Sequence, residues 1–233
     1  MAKLLKKKVF VLVAIGLIIL ISVYSAFQGN MEPVNAASPY SRTLVIDPGH
    51  GGVDGGAIAI DGSRESDINL SIATKLDALA QLCGINTLMT RVSDSSSAEM
   101  TQYSEHRDLV HRTEIANSKE NAILISIHQN CYPTSQPKGA QVMHADDEQS
   151  KTLAWLMQSN LTSCLDPENR RLAEPAPKRL YITSNVNCPA VLVECGFMSN
   201  FSDIEKLKDN DYQSSVALVL LASYIQFTQG TPA

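Results

Sequence analysis

Thr43-Leu44-Val45-Ile46-Asp47-Pro48-Gly49-His50-Gly51-Gly52 is the stretch on which the fold is decided. Its aliphatic run reads as a short strand that stops at the turn dipeptide Pro48-Gly49. A glycine-rich loop continues to about Gly62. A helix is then predicted from about Ser66 to Cys83. Its apolar positions Ile68, Ile72, Leu76, Leu79, Ala80 and Cys83 repeat at helical spacing, and Gly84 stands where a helix stops. Ile85 to Met89 reads as the next strand.

The alternation continues along the chain. Glu105–Asn117 and Gln149–Leu161 read as helices, and Tyr212–Phe227 as an apolar closing helix. Ala122–Ile127, Ala140–His144, Arg179–Thr183 and Ala190–Glu194 read as strands, and Ser93–Met100 as a serine-rich loop. Alternating strands and helices predict an α/β domain, a mainly parallel sheet with helices on both faces. Ligands of such sheets bind at the carboxyl ends of the strands. His50, His128 and Glu194 all fall at such ends.

The first residues are a separate object. Lys3, Lys6, Lys7 and Lys8 precede an uncharged, mostly apolar run from Val9 to Phe27. This is the pattern of a signal or membrane anchor over residues 1–29, with the rest of the chain outside. Val34-Asn35-Ala36-Ala37 resembles a cleavage site, so anchor and secreted form both stay open. A linker over 30–42 and a catalytic domain over 43–229 complete the expected organisation. The net charge is −5; residues 1–37 hold four lysines against one glutamate, +3, which leaves −8 for residues 38–233. An acidic exported domain argues against nucleic acid as a partner. Aromatic residues are 6%, too few for a sugar site of stacked rings. The five cysteines, Cys83, Cys131, Cys164, Cys188 and Cys195, show neither disulfide nor zinc-knuckle spacing and read as small packed residues.

Two imidazoles and a carboxylate make a recurring catalytic zinc set with water in the fourth position. His50 at a strand-end turn, Glu65 at a helix entry and His128 at a strand end are candidates for one such set. The glycines around His50 let the backbone bend and approach a metal or substrate. A phosphate loop is excluded, because no Gly-Lys-Ser/Thr follows. Glu194 closes the apolar run Ala190–Val193. A carboxylate there must be paired, hydrated or metal-linked, and reads as a general base for a metal-activated water.

Asp47-Pro48-Gly49-His50-Gly51-Gly52, then Glu65, then Ser126-Ile127-His128-Gln129-Asn130, then Val193-Glu194-Cys195-Gly196-Phe197-Met198-Ser199-Asn200 resemble the signature of the zinc-dependent N-acetylmuramoyl-L-alanine amidases of the amidase 3 type. The likeness spans residues 43–227. It implies a twisted, six-stranded sheet flanked by helices. It implies one zinc ion per chain on His50, Glu65 and His128, with Glu194 as the catalytic glutamate. It implies hydrolysis of the amide between N-acetylmuramic acid and L-alanine in peptidoglycan. Asn169-Arg170-Arg171-Leu172-Ala173 and Leu180-Tyr181 resemble the membrane-anchored spore-cortex branch, which prepares muramic δ-lactam.

Departures from the pattern are Gln129, Cys131 and Cys195; either thiol lies near enough in sequence to compete for zinc. The segment from His144 to Arg179 leaves no room for an inhibitory helix, so control is expected from outside, by an activating protein partner. Arg170 and Arg171, with Lys178 and Arg179, are candidates to clamp stem-peptide carboxylates. Asn130 and His144 are further candidate substrate contacts, while His106 and His111 read as structural. Two alternatives remain: a zinc carboxypeptidase acting on the stem peptide, and a non-catalytic wall-binding protein. The second has no use for a base at Glu194.

Overall fold

The computed structural model describes residues 42–97 and 102–230. The predicted anchor, most of the linker and the end of the serine-rich loop lie outside the described residues. Among the described residues, no helix is long and apolar enough to cross a membrane.

Six strands form one sheet: β1 Thr43–Pro48, β2 Thr87–Met89, β3 Ala122–Asn130, β4 Gln141–His144, β5 Glu174–Pro175 and β6 Ala190–Phe197. Their order is β2-β1-β3-β6-β4-β5. All neighbours run parallel except β4 against β6. The helices among the described residues are α1 Glu65–Leu82, α2 Glu105–Asn117, α3 Glu148–Leu165, α4 Tyr181–Asn185, α5 Phe201–Lys208 and α6 Asn210–Gly230. The α/β architecture expected from the sequence, with six mostly parallel strands, is the one observed.

Period-two alternation sorts the strand residues between two cores. Leu44, Ile46, Ile123, Ile125, Ile127, Val191, Val193 and Cys195 pack with Ile72 and Leu76 of α1, Met157 of α3 and Leu220 of α6. Val45, Leu124 and Ala190 pack on the other face with Ala116 of α2 and Ile182 of α4. The central strands are buried on both faces, which is why they read as continuous apolar runs. Each fully buried Leu or Ile contributes about 1.5–3 kcal/mol.

Several boundaries differ from expectation for identifiable reasons. The strand expected at Ile85 starts at Thr87, because α1 ends in a glycine cap. Gly84 takes φ +74°. Gly84 N donates to Gln81 O at 3.0 Å and Ile85 N to Ala80 O at 3.0 Å, the two bonds of a Schellman ending. Arg179–Thr183, read as a strand, instead leads into α4 and forms its first three residues. Leu180 N closes a turn on Pro177 O at 2.8 Å. Only Ile182 and Thr183 of α4 are buried, so no alternating face exists to pair with a sheet. α5 was not foreseen, although Asn200 caps it by accepting from Asp203 N at 3.1 Å. Nor was β5, two residues long with a proline and no readable pattern.

Candidate metal centre and active site

The turn after β1 is held by two buried arginines. Arg112 of α2 pairs with Asp47 at 2.8 Å and Asp108 at 2.7 Å. It also donates to Pro48 O at 2.8 Å and His50 O at 2.6 Å. Arg91 donates to Pro48 O at 2.9 Å, Gly49 O at 3.1 Å and Ser66 O at 2.9 Å. Asp47 further accepts from Ser126 Oγ and Thr90 Oγ1, both at 2.6 Å. Burial pushes the Asp47 carboxyl up, but Arg112 and these hydroxyls overcome it and leave it below the usual range. His50 stands on this frame with φ +60°, a left-handed backbone that non-glycine residues adopt rarely.

His50, Glu65 and His128 converge, each offering a ligand atom within 4.8 Å of the others. Glu65 Oε1 lies 3.3 Å from His50 Nε2 and 3.1 Å from His128 Nδ1. Tetrahedral ligands of zinc stand about 3.3–3.6 Å apart. The rings of His50 and His128 meet edge to face, with centroids 5.0 Å apart. Glu65 opens α1, where a helix N-terminus favours a negative charge. Its carboxylate accepts from Ala57 N at 2.8 Å, Gln129 N at 3.0 Å and Asn69 Nδ2 at 3.3 Å. Asn69 in turn accepts from Gln129 Nε2 at 3.1 Å.

Two glycines make room for this group. A Cβ on Gly49 would stand 2.2 Å from the His128 ring, and one on Gly56 would stand 2.6 Å from Glu65 Oε2 and 2.7 Å from His50 Cδ2. Gly56 also has φ +65°.

Asp54 completes the surroundings of His50. It accepts from His50 Nδ1 at 2.8 Å, fixing the proton there and leaving Nε2 toward Glu65. Asp54 also accepts from Gly56 N at 3.0 Å and Tyr103 Oη at 3.2 Å. Its bond to His50 draws its carboxyl down to about 2. Burial pulls His50 down, yet Asp54 and Glu65 outweigh it and hold the imidazole at about 10. Burial would raise Glu65, but His128 and His50 hold it far below the usual carboxylate range. The three groups make a place that stabilises positive charge, and a divalent cation fits their donor set.

Glu194 is the register partner of His128 across β3 and β6. The two side chains therefore share a face of the sheet. Burial raises the Glu194 carboxyl to about 7, with Glu65 adding and His128 and His50 opposing. Among the described residues, Glu194 Oε2 is buried with no hydrogen-bond partner. A polar atom left this way is costly unless a ligand or water completes it. The open oxygen beside the ligand triad is thus a second observation that fits a metal with its water.

A bulge follows this pair, since Asn130 next faces Phe197. The extra residue in β6 returns Phe197 to the His128–Glu194 face. Asp203 accepts from Phe197 N at 3.0 Å and Gly139 N at 2.8 Å, which satisfies the irregular backbone there. Asn130 therefore lies on the face of the site.

The other candidates divide. His144 is not brought to the group. β4 runs antiparallel to β6, so Gln141 pairs with Glu194 and His144 with Val191. His144 sits three rungs away, about 10 Å, on the opposite face. It lines a separate 950 Å³ cleft with Asp147, Lys178 and Cys188. Its Nδ1 bonds Ala145 O at 2.8 Å. The expectation assumed a parallel strand, and the four residues of β4 do not encode direction. Arg170 is exposed, bonds Pro167 O at 2.9 Å and faces a separate groove beside Trp155 and Leu172. Arg171 also borders that groove, and its guanidinium bonds Gln141 Oε1 at 3.0 Å. Cys195 points into the core with Val193, and Cys131 is exposed; among the described residues neither joins the ligand group. All five cysteines are free. His106 packs edge-on against Tyr181, as a structural residue would.

Asp54, Arg112, Asn69 and Gln141 escaped the sequence reading. The i,i+4 spacing of Asp108 and Arg112 on a helix, and of His50 and Asp54 in the loop, are the signals that could have found two of these four, Arg112 and Asp54.

The chain matches the Amidase_3 family, N-acetylmuramoyl-L-alanine amidase, over residues 44–223. It is 33% identical over 225 residues to the germination-specific N-acetylmuramoyl-L-alanine amidase of Bacillus subtilis (strain 168), covering 91% of this chain and 92% of that one. The CwlD amidase from Clostridioides difficile, solved in complex with the GerS lipoprotein, aligns with a TM-score of 0.76 at 32% identity, over 81% of this chain and 99% of that one. AmiC2, an N-acetylmuramoyl-L-alanine amidase of Nostoc punctiforme, aligns with a TM-score of 0.69 at 28% identity, over 80% and 97%.

Proposed function

The chain belongs to the N-acetylmuramoyl-L-alanine amidase family, and from that premise we propose that it hydrolyses the amide between N-acetylmuramic acid and L-alanine in peptidoglycan. The reading extends to one zinc ion per chain on His50, Glu65 and His128, and to a role in spore-cortex maturation that yields muramic δ-lactam. It is carried by one observation: the buried, unpartnered Glu194 Oε2 beside the ligand triad.

A divalent metal bound by the triad supplies Lewis acidity to the scissile carbonyl and to an adjacent water. The protein supplies the rest. Asp54 and Arg112 hold the His50 ring and its backbone in place. Glu65 contributes the negative charge, its carboxylate held by Ala57 N and Gln129 N. Glu194, with its carboxyl near neutrality, takes the proton of the attacking water and returns it to the alanine nitrogen as the C–N bond breaks.

The substrate lies outside the cytoplasm, which agrees with an anchor or signal in residues 1–29. The lipoprotein complex of the solved relative supports a protein partner for this chain as well.

Mass spectrometry of muropeptides incubated with the zinc-loaded domain tests the reading. Free lactyl ends, lost on chelation, are expected. Loss of D-alanine with intact lactyl amides would overturn it in favour of a carboxypeptidase.

A further inference from the structure

We propose that Arg171 determines substrate specificity at this site, its guanidinium receiving a free carboxylate of the stem peptide beyond the scissile amide. The inference deepens the amidase reading and rests on it.

The placement follows from register. Gln141 faces Glu194 across β4 and β6, and Phe197 faces Asn130 beyond the bulge. Gln141, Phe197, Asn130 and Glu194 therefore share the face that carries His128. Arg171 lies on this face, its guanidinium carbon 4.5 Å from the centre of the Phe197 ring. Nη1 donates to Gln141 Oε1 at 3.0 Å and Nε to Lys138 O at 2.9 Å. The backbone beneath is fixed as well. Asn169 accepts from Arg171 N at 3.0 Å and donates to Ala140 O at 2.8 Å. Gly139 leaves space for it, since a Cβ there would come within 2.9 Å of Asn169 Oδ1.

Charge separates Arg171 from Arg112 and Arg64, and exposure separates it from Arg91, which is buried and bonds only backbone carbonyls. Arg112 is neutralised by Asp47 and Asp108, and Arg64 pairs with Asp94. Arg171 bonds only neutral acceptors and, among the described residues, forms no ion pair. Nη2 makes no hydrogen bond among those residues. A guanidinium held over an aromatic ring, with one edge open and its charge uncompensated, is preorganised for a carboxylate. Gln141 stands between it and Glu194. The group it receives is therefore displaced along the substrate from the reacting carbonyl. Peptidoglycan stems place an acidic residue directly after the L-alanine, with its α-carboxylate free or amidated.

The test is calorimetric binding of two muramyl peptides, free acid and carboxamide at that second residue, to zinc-loaded E194Q, which leaves them uncut. The free acid is expected to bind about 10- to 100-fold more tightly. E194Q/R171Q should bring this preference close to one, and E194Q/R171K should keep part of it. Zinc content and urea midpoints of the variants check that they fold. A preference that survives R171Q overturns the proposal. So does an equal loss for both ligands, which would make Arg171 a mere staple for β4. Because binding is read without turnover, a wild type that leaves both peptides uncut would refute the amidase reading, while a preference that follows Arg171 would still establish the carboxylate site.

Discussion

His128 and Glu194 stand opposite each other on adjacent parallel strands, and the β6 bulge begins immediately after them. Neighbouring strands are about 4.8 Å apart, so the proposed metal ligand and the proposed base are coupled through the sheet rather than through a loop.

Replacing Glu194 tests that coupling. Glu194→Ala should keep zinc, measured by metal analysis, and reduce amide cleavage by about 10²–10⁴-fold. Retained turnover would remove the residue from its role.

Glu194 also predicts a pH dependence. Its carboxyl is raised from 4.5 to about 7 by burial. The folded chain thus holds a proton that the unfolded chain releases between those values. The stabilisation is complete below pH 4.5 and disappears as pH rises to 7. In metal-free protein, Glu194→Gln should gain stability relative to wild type across this window, by roughly 1–3 kcal/mol. Urea denaturation at pH 4.5 and 8 measures it; a constant difference would show that the carboxyl does not titrate there.

Asp54 holds the His50 tautomer. Asp54→Asn should weaken zinc binding about 10–100-fold, read by competition with a chromophoric chelator. The fold should persist, since Asp54 is half-buried in a loop.

Arg112 carries a structural load. Arg112→Met leaves Asp47 and Asp108 buried without their cation and should cost about 3–5 kcal/mol in urea unfolding.

Gly56 and Gly62 make a matched pair. Both have positive φ, +65° and +88°. A Cβ at Gly62 meets nothing within 4 Å, whereas one at Gly56 strikes Glu65 and His50. Each alanine variant should lose about 1 kcal/mol to backbone strain, but only Gly56→Ala should also lose zinc. Equal zinc content in the two would remove the steric argument.

The sequence made the sheet and the ligand candidates visible for one reason: central strands buried on both faces read as unbroken apolar runs, and chemically able residues at their ends stand out. His50, His128 and Glu194 were legible that way, and Glu65 as a carboxylate at a helix entry. Strand direction was not. β4 reads the same forward or backward, so His144 was drawn toward the site when its partner Val191 puts it at the other end. Gln141 was passed over for the same reason. Asp54 and Arg112 were hidden because their importance lies in what they bond, and hydrogen bonds between distant segments leave no periodic trace. The basic cluster was read as one unit, yet Arg170 bonds Pro167 O three residues back while Arg171 reaches Gln141 of β4.

β6 enters the sheet between β3 and β4 although it is the last strand in the chain. Until it arrives, the earlier strands form two unjoined pieces, and the triad has no acid beside it. A chain lacking this strand would keep the three candidate metal donors and lose the proposed base, together with the link between the two parts of the sheet.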